Sequence, residues 1–346
     1  MGRFPRRDRK TTLINTVPNP VVVFTTIHPP KDRLSEWTHL GYPVVVVGDR
    51  RSPDDLWAEV KDPLVRYVAL DEQARRWSEL SDVMGVDCYA RKNFGYLIAI
   101  EAGHDSIWET DDDTFPTANL PAVVDKLQHY KIAGERFINP YRAFGIDGLW
   151  PRGFPLTQLG RDRKSRGEYQ ISRPGHVPPP KIDVIQTLVT GDPDLDAIFR
   201  LTVSDAPVDI DTTLQLLEVA EGCWTPGNTQ STLWLTPTSL QYIFVPRGLT
   251  FRSCDIWRSY IAQTGCRLGL CDAYAEQQRN RHDSLDEFES EIPVYLRCEE
   301  LVDLLEAECI GKELPAIYER LAEHALGTSS DTEAATLFAR ELEHIQ

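Results

Sequence analysis

RKNFGYLIAIEAGHDSIWETDDD, residues 91–113, is the stretch that decides the predicted fold, because a short helix there leads into a strand that ends in three aspartates. Phe94, Leu97 and Ile98 recur at the spacing of one helix face. Gly103 then stands where a helix end in the left-handed conformation favours glycine. The aspartates are therefore expected at the carboxyl end of a buried strand.

Asp111, Asp112 and Asp113 are best explained by a bound cation. Three adjacent like charges repel one another, so they are stable in bulk water or around a metal ion. Carboxylates on alternate residues point the same way and suit a hard ion such as Mn²⁺ or Mg²⁺, which would in turn hold a diphosphate. An acidic surface turn is the alternative, but the strand before the triplet and the Thr-Phe-Pro after it favour the metal site.

Composition indicates a globular protein that is not a general nucleic-acid binder. The chain has 346 residues, a hydrophobic content of 41% and a net charge of −16. Residues 283–346 include 17 acidic and 4 basic residues, which leaves 36 acidic against 33 basic residues before them. This nearly neutral remainder has no broad basic face, so a nucleic-acid acceptor is disfavoured.

Cysteine usage and hydropathy favour a cytoplasmic protein. The seven cysteines include no CxxC pair, which favours reduced thiols over a disulfide framework or a zinc ribbon. Residues 1–17 are expected to form a basic, flexible N-terminus, and no apolar core of a signal peptide follows them. No segment approaches the roughly 20 apolar residues that a membrane span needs.

The first part of the chain predicts a parallel sheet. Buried apolar runs at residues 21–27, 42–49 and 65–70 alternate with helical segments, which is typical of right-handed crossover connections. Ligands bind such sheets at the carboxyl ends of the strands. Neither GxGxxG nor GxxxxGK(S/T) follows the first strand, so dinucleotide-binding and P-loop enzymes are disfavoured.

Polar residues at the ends of the first two strands are candidates for binding a nucleoside. They are Thr25 and Thr26 in the first strand and Asp49 after the second. For Asp49, a simple turn or a helix cap explains the residue equally well.

The later segments are less regular. Residues 121–132 are expected to be helical, and residues 160–181 form a basic loop that either closes over a diphosphate or, as the favoured interpretation, is simply solvated. Asp194 and Asp196 fall in the first turn of a short predicted helix, where its dipole favours carboxylates. The apolar stripes of the acidic helices after residue 285 must be covered by the main domain or by another subunit.

Eight segments together resemble the STELLO family of glycosyltransferase-like proteins, and less closely the reversibly glycosylated polypeptides that act as UDP-arabinopyranose mutases. They are VVVVGD with the following Arg-Ser-Pro, RKNFGYLIAI, the aspartate triplet, INPYRAFG with LWPRGFPL, DPDLDAIFRL, GNTQSTLW, RSCDIWRSYIAQ and QQRNRHD. Each alone is weak, but eight in a consistent order are specific. The resemblance implies an α/β GT-A glycosyltransferase-like fold with a Rossmann-like nucleotide-binding half and a C-terminal helical appendage.

The resemblance also implies a domain organisation. After residues 1–17, a catalytic domain is expected at 18–285, divided into a nucleotide-binding half at 18–115 and an acceptor half at 116–285. The acidic helical region at 286–346 completes the chain, and its helices are candidates for forming a homo-oligomer.

Individual residues receive roles from the resemblance. Asp111 and Asp113 become the metal and ribose contacts of a DxD-type motif, and His282 becomes the late histidine that completes the metal shell. Arg91 and Lys92 become diphosphate contacts, since charge-assisted hydrogen bonds to phosphate suit them. The full set assigned to the nucleotide and donor sugar through the resemblance is Arg91, Lys92, Asp111, Asp112, Trp150, Arg152, Asp194 and Asp196.

Asp255 has two competing interpretations. The resemblance places it near the acceptor, where a carboxylate can deprotonate a hydroxyl as a general base in an inverting displacement. Alternatively, Asp255 caps a helix whose Trp257 lies in the core. Both interpretations stay open.

The leading hypothesis is a metal-dependent glycosyltransferase that uses a nucleoside diphosphate sugar, most simply a UDP-sugar, with Mn²⁺ or Mg²⁺ and an unidentified acceptor. A UDP-sugar mutase or a self-glycosylating protein is the first alternative, with Arg142 as a candidate modification site. The mutases carry an arginine segment before HGLW that this sequence lacks, which disfavours mutase activity. A non-catalytic scaffold that binds a nucleotide sugar is the second alternative.

Overall fold

A computed structural model describes residues 20–164, 169–173, 182–280 and 283–345. Its first strands are β1 (Val21–Thr26), β2 (Val44–Gly48), β3 (Val65–Val68) and β4 (Ile107–Thr110). They pair in parallel in the spatial order β3-β2-β1-β4. The valine runs of β1 and β2 are fully buried, which explains why they are apolar without alternation. The predicted parallel arrangement is thus confirmed.

Later strands extend this sheet and build a smaller one. Their bounds are β5 (Thr114–Pro116), β6 (Gln128–Ala133), β7 (Gln170–Ser172), β8 (Val184–Thr187), β9 (Thr190–Gly191), β10 (Gln215–Val219), β11 (Ser231–Trp234), β12 (Leu268–Cys271) and β13 (Ala275–Gln277). Among the described residues the large sheet has ten strands in the order β3-β2-β1-β4-β11-β8-β12-β10-β6-β7. Strand β11 runs antiparallel to β4 and β8, so the sheet becomes mixed beyond β4. The small sheet, β5-β13-β9, joins the strand after the aspartates to the segment that ends at Gln277.

Helices cover both faces of the large sheet. They are α1 (Leu34–His39), α2 (Asp54–Ala58), α3 (Leu70–Arg76), α4 (Ser78–Met84), α5 (Lys92–Glu101), α6 (Pro140–Ala143), α7 (Leu156–Lys164), α8 (Ala197–Thr202), α9 (Pro237–Leu240), α10 (Cys254–Ala262), α11 (Ser284–Leu304), α12 (Leu314–Glu323) and α13 (Ser329–Ile345). The α/β fold class predicted from the sequence is confirmed by this large sheet with its surrounding helices.

The helix predicted before the aspartates is α5, which packs directly on β1 and β2. Gly95 permits this close approach, because a Cβ there would lie 2.6 Å from Val23 and 2.7 Å from Val47. Gly103 follows the helix with a φ of +88°, as the sequence predicts for a left-handed helix end. The position of α5 fixes where the chain enters β4 and therefore where the aspartates emerge.

The prediction of a helix at residues 121–132 is wrong. The structure has a short 3-10 turn at Val124–Lys126 and then strand β6, which pairs with β10 on one side and β7 on the other. Most β6 side chains are half-buried or exposed, so the strand has no apolar periodicity that the sequence could reveal. Backbone pairing with two neighbouring strands overrides the local pattern.

The three C-terminal helices share the core of the main domain. Leu301, Ile317 and Phe338 are fully buried in the same hydrophobic cluster as residues of β1 and α5. Asp331 on α13 accepts hydrogen bonds from the backbone N–H groups of Arg247 and Gly248. The chain itself therefore covers the buried apolar side chains of these helices, whereas Leu285, Phe288, Ile292 and Leu296 of α11 are exposed. Within the described residues, no helix combines the length and the apolar character needed to cross a bilayer.

Candidate functional site

The carboxyl ends of β1, β2 and β4 open onto a cavity of about 620 Å³. Residues from the loops before α8 and α10 and from the segment after β13 complete its lining. Nine residues predicted from the sequence line this cavity: Thr25, Thr26, Asp49, Asp111, Asp112, Asp113, Arg152, Asp194 and Asp255. Side chains up to 230 positions apart in sequence therefore meet at the edge of the sheet where ligands of such folds bind.

The three aspartates have different surroundings. Asp111 accepts hydrogen bonds from the Lys92 ammonium, at 3.0 Å, and from the Tyr89 hydroxyl. Asp112 accepts from the Thr26 hydroxyl and, at 3.1 Å, from the side-chain amide of Asn280.

Asp113 is the most deeply buried of the three aspartates. It accepts 2.9 Å hydrogen bonds from the Gln277 amide and the Asn280 backbone N–H. Burial and the negative charge of Asp111 raise the pKa of Asp113 to about 6. A carboxylate in this setting is electrostatically under-compensated, and a nearby cation would stabilise its charged form.

The donor set at this end of the cavity fits a hard divalent cation. Mg²⁺ in particular is often held by one or two carboxylates, with substrate phosphates and water completing its shell. Asp111 and Asp113 can supply those carboxylates. In the parts of the chain that the structure describes, no group of three or more His, Cys, Asp or Glu side chains is arranged as a metal site. His282, predicted to complete the shell, lies outside the described residues.

Arg152 organises the other end of the cavity by bridging two buried carboxylates. Its guanidinium donates to Asp194 at 2.6 Å and to both oxygens of Asp255 at 2.8 Å. Arg252 approaches Asp194 from another direction at 3.2 Å. Although burial opposes ionisation, the charges of Arg152 and Arg252 lower the pKa of Asp194 to about 2. Arg152 and Asp194 therefore form a fixed, charged wall.

Asp255 lies in the first turn of α10 and accepts hydrogen bonds from Arg152 of this wall. The helix begins at Cys254 and its N-cap residue is Ser253, so the interpretation of Asp255 as the N-cap is wrong. Trp257 is buried in the core, as that interpretation assumed. The hydrogen bonds from Arg152 fix the orientation of the Asp255 carboxylate at the cavity surface. A role as general base remains a hypothesis.

Asp49 lines the cavity with its oxygens engaged by the backbone. They accept hydrogen bonds from the N–H groups of Arg50, Asp87 and Cys88 at 2.6–3.0 Å. This carboxylate therefore ties the loop before α5 to the end of β2. The turn interpretation accounts for these contacts, and nucleoside binding at Asp49 stays a prediction.

Arg91 does not reach the cavity, which corrects its assignment as a diphosphate contact. Its fully buried guanidinium donates to Gln73 at 2.7 Å, to Ser81 at 3.1 Å and to the carbonyl of Gly85. The adjacent Lys92 is also fully buried, and its ammonium binds Asp111 and the carbonyl of Thr110. Lys92 thus acts on the acidic triplet and has no surface open to a diphosphate.

Trp150 and Asp196 also lie outside the cavity lining, which corrects their assignment to the donor. The Trp150 ring is buried edge-on to Phe199, with ring centroids 4.9 Å apart. Asp196 is the N-cap of α8 and accepts hydrogen bonds from the N–H groups of Ile198 and Phe199. Asp196 therefore caps the helix and does not lie in its first turn, whereas Asp194, two residues earlier, does line the cavity.

Asp196 leads to a testable pH dependence of stability. Burial and the charge of Glu291 raise its pKa from 3.8 to about 7. The folded protein then binds this proton more tightly than the unfolded chain, so the stabilisation is present below about pH 4 and is lost as the pH rises to about 7. One proton contributes a slope of at most about 1.4 kcal/mol per pH unit. In Asp196→Asn, which keeps a capping oxygen, we expect urea denaturation to show a flatter fall in stability across this window.

The matched control for this prediction is Asp211→Asn, an exposed carboxylate outside the core. It should leave the dependence of stability on pH as in the wild type. A slope for Asp196→Asn that equals the wild-type slope would contradict the prediction.

Several cavity residues escaped prediction from the sequence. They are Arg51, Tyr89, Thr229, Gln230, Phe251, Arg252, Gln277, Arg279 and Asn280. Signals for most of them were present, since GNTQSTLW, RSCDIWRSYIAQ and QQRNRHD contain six of these nine residues. In the sequence these segments carry a resemblance, which gives roles to Asp255 and His282 but to none of these six residues.

Comparison with known proteins identifies two plant relatives. No protein-family model matches the chain. It is 25% identical over 261 residues to the probable glycosyltransferase STELLO1 of Arabidopsis thaliana, and 26% identical over 261 residues to STELLO2 of the same plant. Each alignment covers 70% of this chain and 32% or 33% of the relative. The chain thus spans about a third of the length of these relatives.

Two solved structures are also similar. One is the mannosyltransferase PcManGT from Pyrobaculum calidifontis in complex with GDP-Man and Mn²⁺, with a TM-score of 0.34, 10% identity and coverage of 95% of this chain and 87% of the other. The second is GalNAc-T7 with UDP, GalNAc and Mn²⁺, with a TM-score of 0.36, 10% identity and coverage of 98% and 60%. The resemblance seen in the sequence is confirmed by the plant relatives: the chain is homologous to the STELLO probable glycosyltransferases.

Proposed function

We propose that this protein is a metal-dependent glycosyltransferase of GT-A type that transfers a sugar from a nucleoside diphosphate sugar, a UDP-sugar in the first instance, to an acceptor hydroxyl. The observation that carries the proposal is the convergence of Asp111, Asp113, Asp194 and Asp255 on one cavity at the carboxyl edge of the sheet. Homology to the STELLO probable glycosyltransferases supports it, although the chain matches only a third of their length.

The acidic end of the cavity is assigned to the donor diphosphate. Asp111 and Asp113 would hold a divalent cation, Mn²⁺ or Mg²⁺, which when bound offsets the negative charge of a departing diphosphate. The buried Lys92 and the cavity-lining Tyr89 fix the orientation of Asp111. Thr25 and Thr26, at the end of β1, lie where the nucleoside would meet the sheet.

The end organised by Arg152 is assigned to the sugar and the acceptor. The acceptor oxygen attacks the anomeric carbon, the bond from that carbon to the phosphate oxygen breaks, and its electron pair leaves with the diphosphate. The acceptor proton passes either to Asp255 or to the departing diphosphate. Arg152 leaves Asp255 Oδ2 a second lone pair, so this oxygen can still accept a proton.

Calorimetry with UDP is the direct test of the proposed function. We expect the wild-type protein to bind UDP in the presence of Mn²⁺ and to bind it much more weakly once the metal is removed by chelation. A coupled assay for released UDP then identifies which UDP-sugars are turned over. Absence of UDP binding, or binding of equal strength with and without metal, would overturn the proposal.

The alternatives are separated by incubation with a labelled UDP-sugar and no acceptor. Interconversion of ring forms would indicate a mutase, label retained on the protein would indicate self-glycosylation, and binding without turnover would indicate a scaffold. Arg142, the candidate modification site, is on α6 outside the cavity lining, with its guanidinium 5.2 Å from the ring of Tyr169. This position favours transfer to an external acceptor over modification of Arg142 within the same molecule.

A further inference from the structure

Phe251 lies on the wall of the cavity with 56% of its surface exposed. Single exposed apolar residues are common on proteins and need no special explanation. Phe251 differs in its location, because among the described residues it is the one large exposed apolar side chain that lines the cavity. Half of the lining residues are Asp or Arg, so the exposed ring of Phe251 is an apolar surface among charged groups.

The segment that carries Phe251 is anchored on both sides. Before it, the N–H groups of Arg247 and Gly248 donate to Asp331 on α13, at 2.9 and 2.7 Å. Next to it, Arg252 pairs with Glu291 of α11 at 2.7 Å and with Asp194 at 3.2 Å. The exposed ring is therefore presented by a backbone that is fixed to two helices and to the charged wall.

A second aromatic residue supports the ring from within the cavity wall. The rings of Tyr89 and Phe251 meet edge to face, with centroids 5.5 Å apart and an interplanar angle of 82°. The hydroxyl of the same tyrosine donates to Asp111. This contact sets the position of Phe251 relative to the acidic end of the cavity, where the donor diphosphate is assigned.

The polar groups beside Phe251 complete a site of mixed character. Arg252 and Asp255 belong to the same segment and line the same cavity. Binding sites for small polar molecules commonly combine an aromatic surface with a few fixed polar groups. A pyranose ring matches this combination, since one of its faces exposes C–H groups while its hydroxyls project sideways to donate and accept hydrogen bonds.

We propose that Phe251 is the platform of an acceptor subsite and that the acceptor is a carbohydrate whose ring packs on this side chain. This inference rests on the proposed glycosyltransferase function and names its acceptor class. An acyl chain would need a continuous apolar track, whereas the exposed apolar side chains of α11, such as Leu285 and Leu296, lie outside the cavity lining.

The test measures UDP release from the UDP-sugar that the wild type turns over, with Mn²⁺ and a panel of added acceptors. The panel contains methyl glycosides of common hexoses and pentoses, peptides with serine or threonine, and long-chain alcohols. We expect one or more methyl glycosides to accelerate UDP release. Phe251→Ala should raise the KM for that glycoside about tenfold while kcat changes much less, and Phe251→Trp should restore a KM close to that of the wild type.

Leu296→Ala is the matched control, because this leucine is 74% exposed on α11 and lies away from the cavity. It should leave the KM for the glycoside as in the wild type. Acceleration by peptides or alcohols but not by glycosides, or an unchanged KM in Phe251→Ala, would overturn the inference while leaving the proposed function intact. Loss of the proposed function is recognised separately, by wild-type protein that binds no UDP with Mn²⁺.

Discussion

Replacing Arg152 by methionine is expected to lower the free energy of unfolding by about 3–5 kcal/mol, the range measured when one member of a buried ion pair is removed. The guanidinium is almost fully buried and donates to Asp194 and to both oxygens of Asp255. Methionine fills a similar volume but cannot compensate either carboxylate. Chemical denaturation at neutral pH, monitored by the fluorescence of the buried tryptophans, measures the loss.

The double variant Arg152→Met/Asp255→Asn separates the unpaired charge from the lost packing. Asp194 keeps Arg252 at 3.2 Å in the single variant, so Asp255 is the carboxylate left without a cation among these residues. We therefore expect Asp255→Asn to recover part of the stability lost in Arg152→Met, although Asp255→Asn alone is destabilising. Additive losses in the two single variants would show that the residues are not coupled.

Arg75→Met provides the matched control for Arg152. Arg75 also pairs with an aspartate, Asp71, but both side chains are more than 60% exposed on α3. Exposed pairs of this kind contribute at most about 1 kcal/mol, so the control should change stability little. Equal losses in Arg75→Met and Arg152→Met would contradict the assignment of Arg152 as the structural centre of the cavity wall.

Local pattern was sufficient to predict the first half of the sheet and the place of the aspartates. The valine runs of β1 and β2 are unbroken because both faces of these strands are buried, and such runs have few alternative explanations. Asp111 to Asp113 follow β4 directly, so their position depends on one strand assignment. Once parallel connections were expected, their meeting with Thr26 and Asp49 followed from topology.

Tertiary contacts determine the positions of the residues for which the sequence-based prediction is wrong. The positive charge of Arg91 would suit a phosphate. Inside the fold, however, its guanidinium donates hydrogen bonds to Gln73, Ser81 and the carbonyl of Gly85. No local pattern distinguishes an arginine that is buried in this way from one that faces a ligand. The bridge from Arg152 to Asp194 and Asp255 spans 42 and 103 positions in sequence, so its existence depends on the complete fold.

Asp113→Asn is expected to reduce turnover of the UDP-sugar by about 100- to 1000-fold, the size of effect seen when a group that stabilises developing charge is removed. The amide cannot supply the negative oxygen that a divalent cation needs, so Mn²⁺-dependent binding of UDP should weaken in calorimetry as well. Asp111→Asn should give a similar loss of activity. Asp211→Asn, an exposed carboxylate far from these residues in sequence, should leave activity within about twofold of the wild type.

Stability should distinguish the two aspartates, even though both variants lose activity. The Asp111 carboxylate receives the buried ammonium of Lys92, so Asp111→Asn leaves a charge under-compensated inside the protein and should cost about 1–3 kcal/mol. Asp113 instead lies buried near Asp111, and within the described part of the chain its hydrogen bonds come from Gln277 and the backbone of Asn280 and not from a cation. Without metal, Asp113→Asn removes a repulsion between like charges and should change stability by less than about 1 kcal/mol. An Asp113→Asn protein that is strongly destabilised without metal would mean that this carboxylate is retained for folding, and the case for a cation at Asp113 would fail with it.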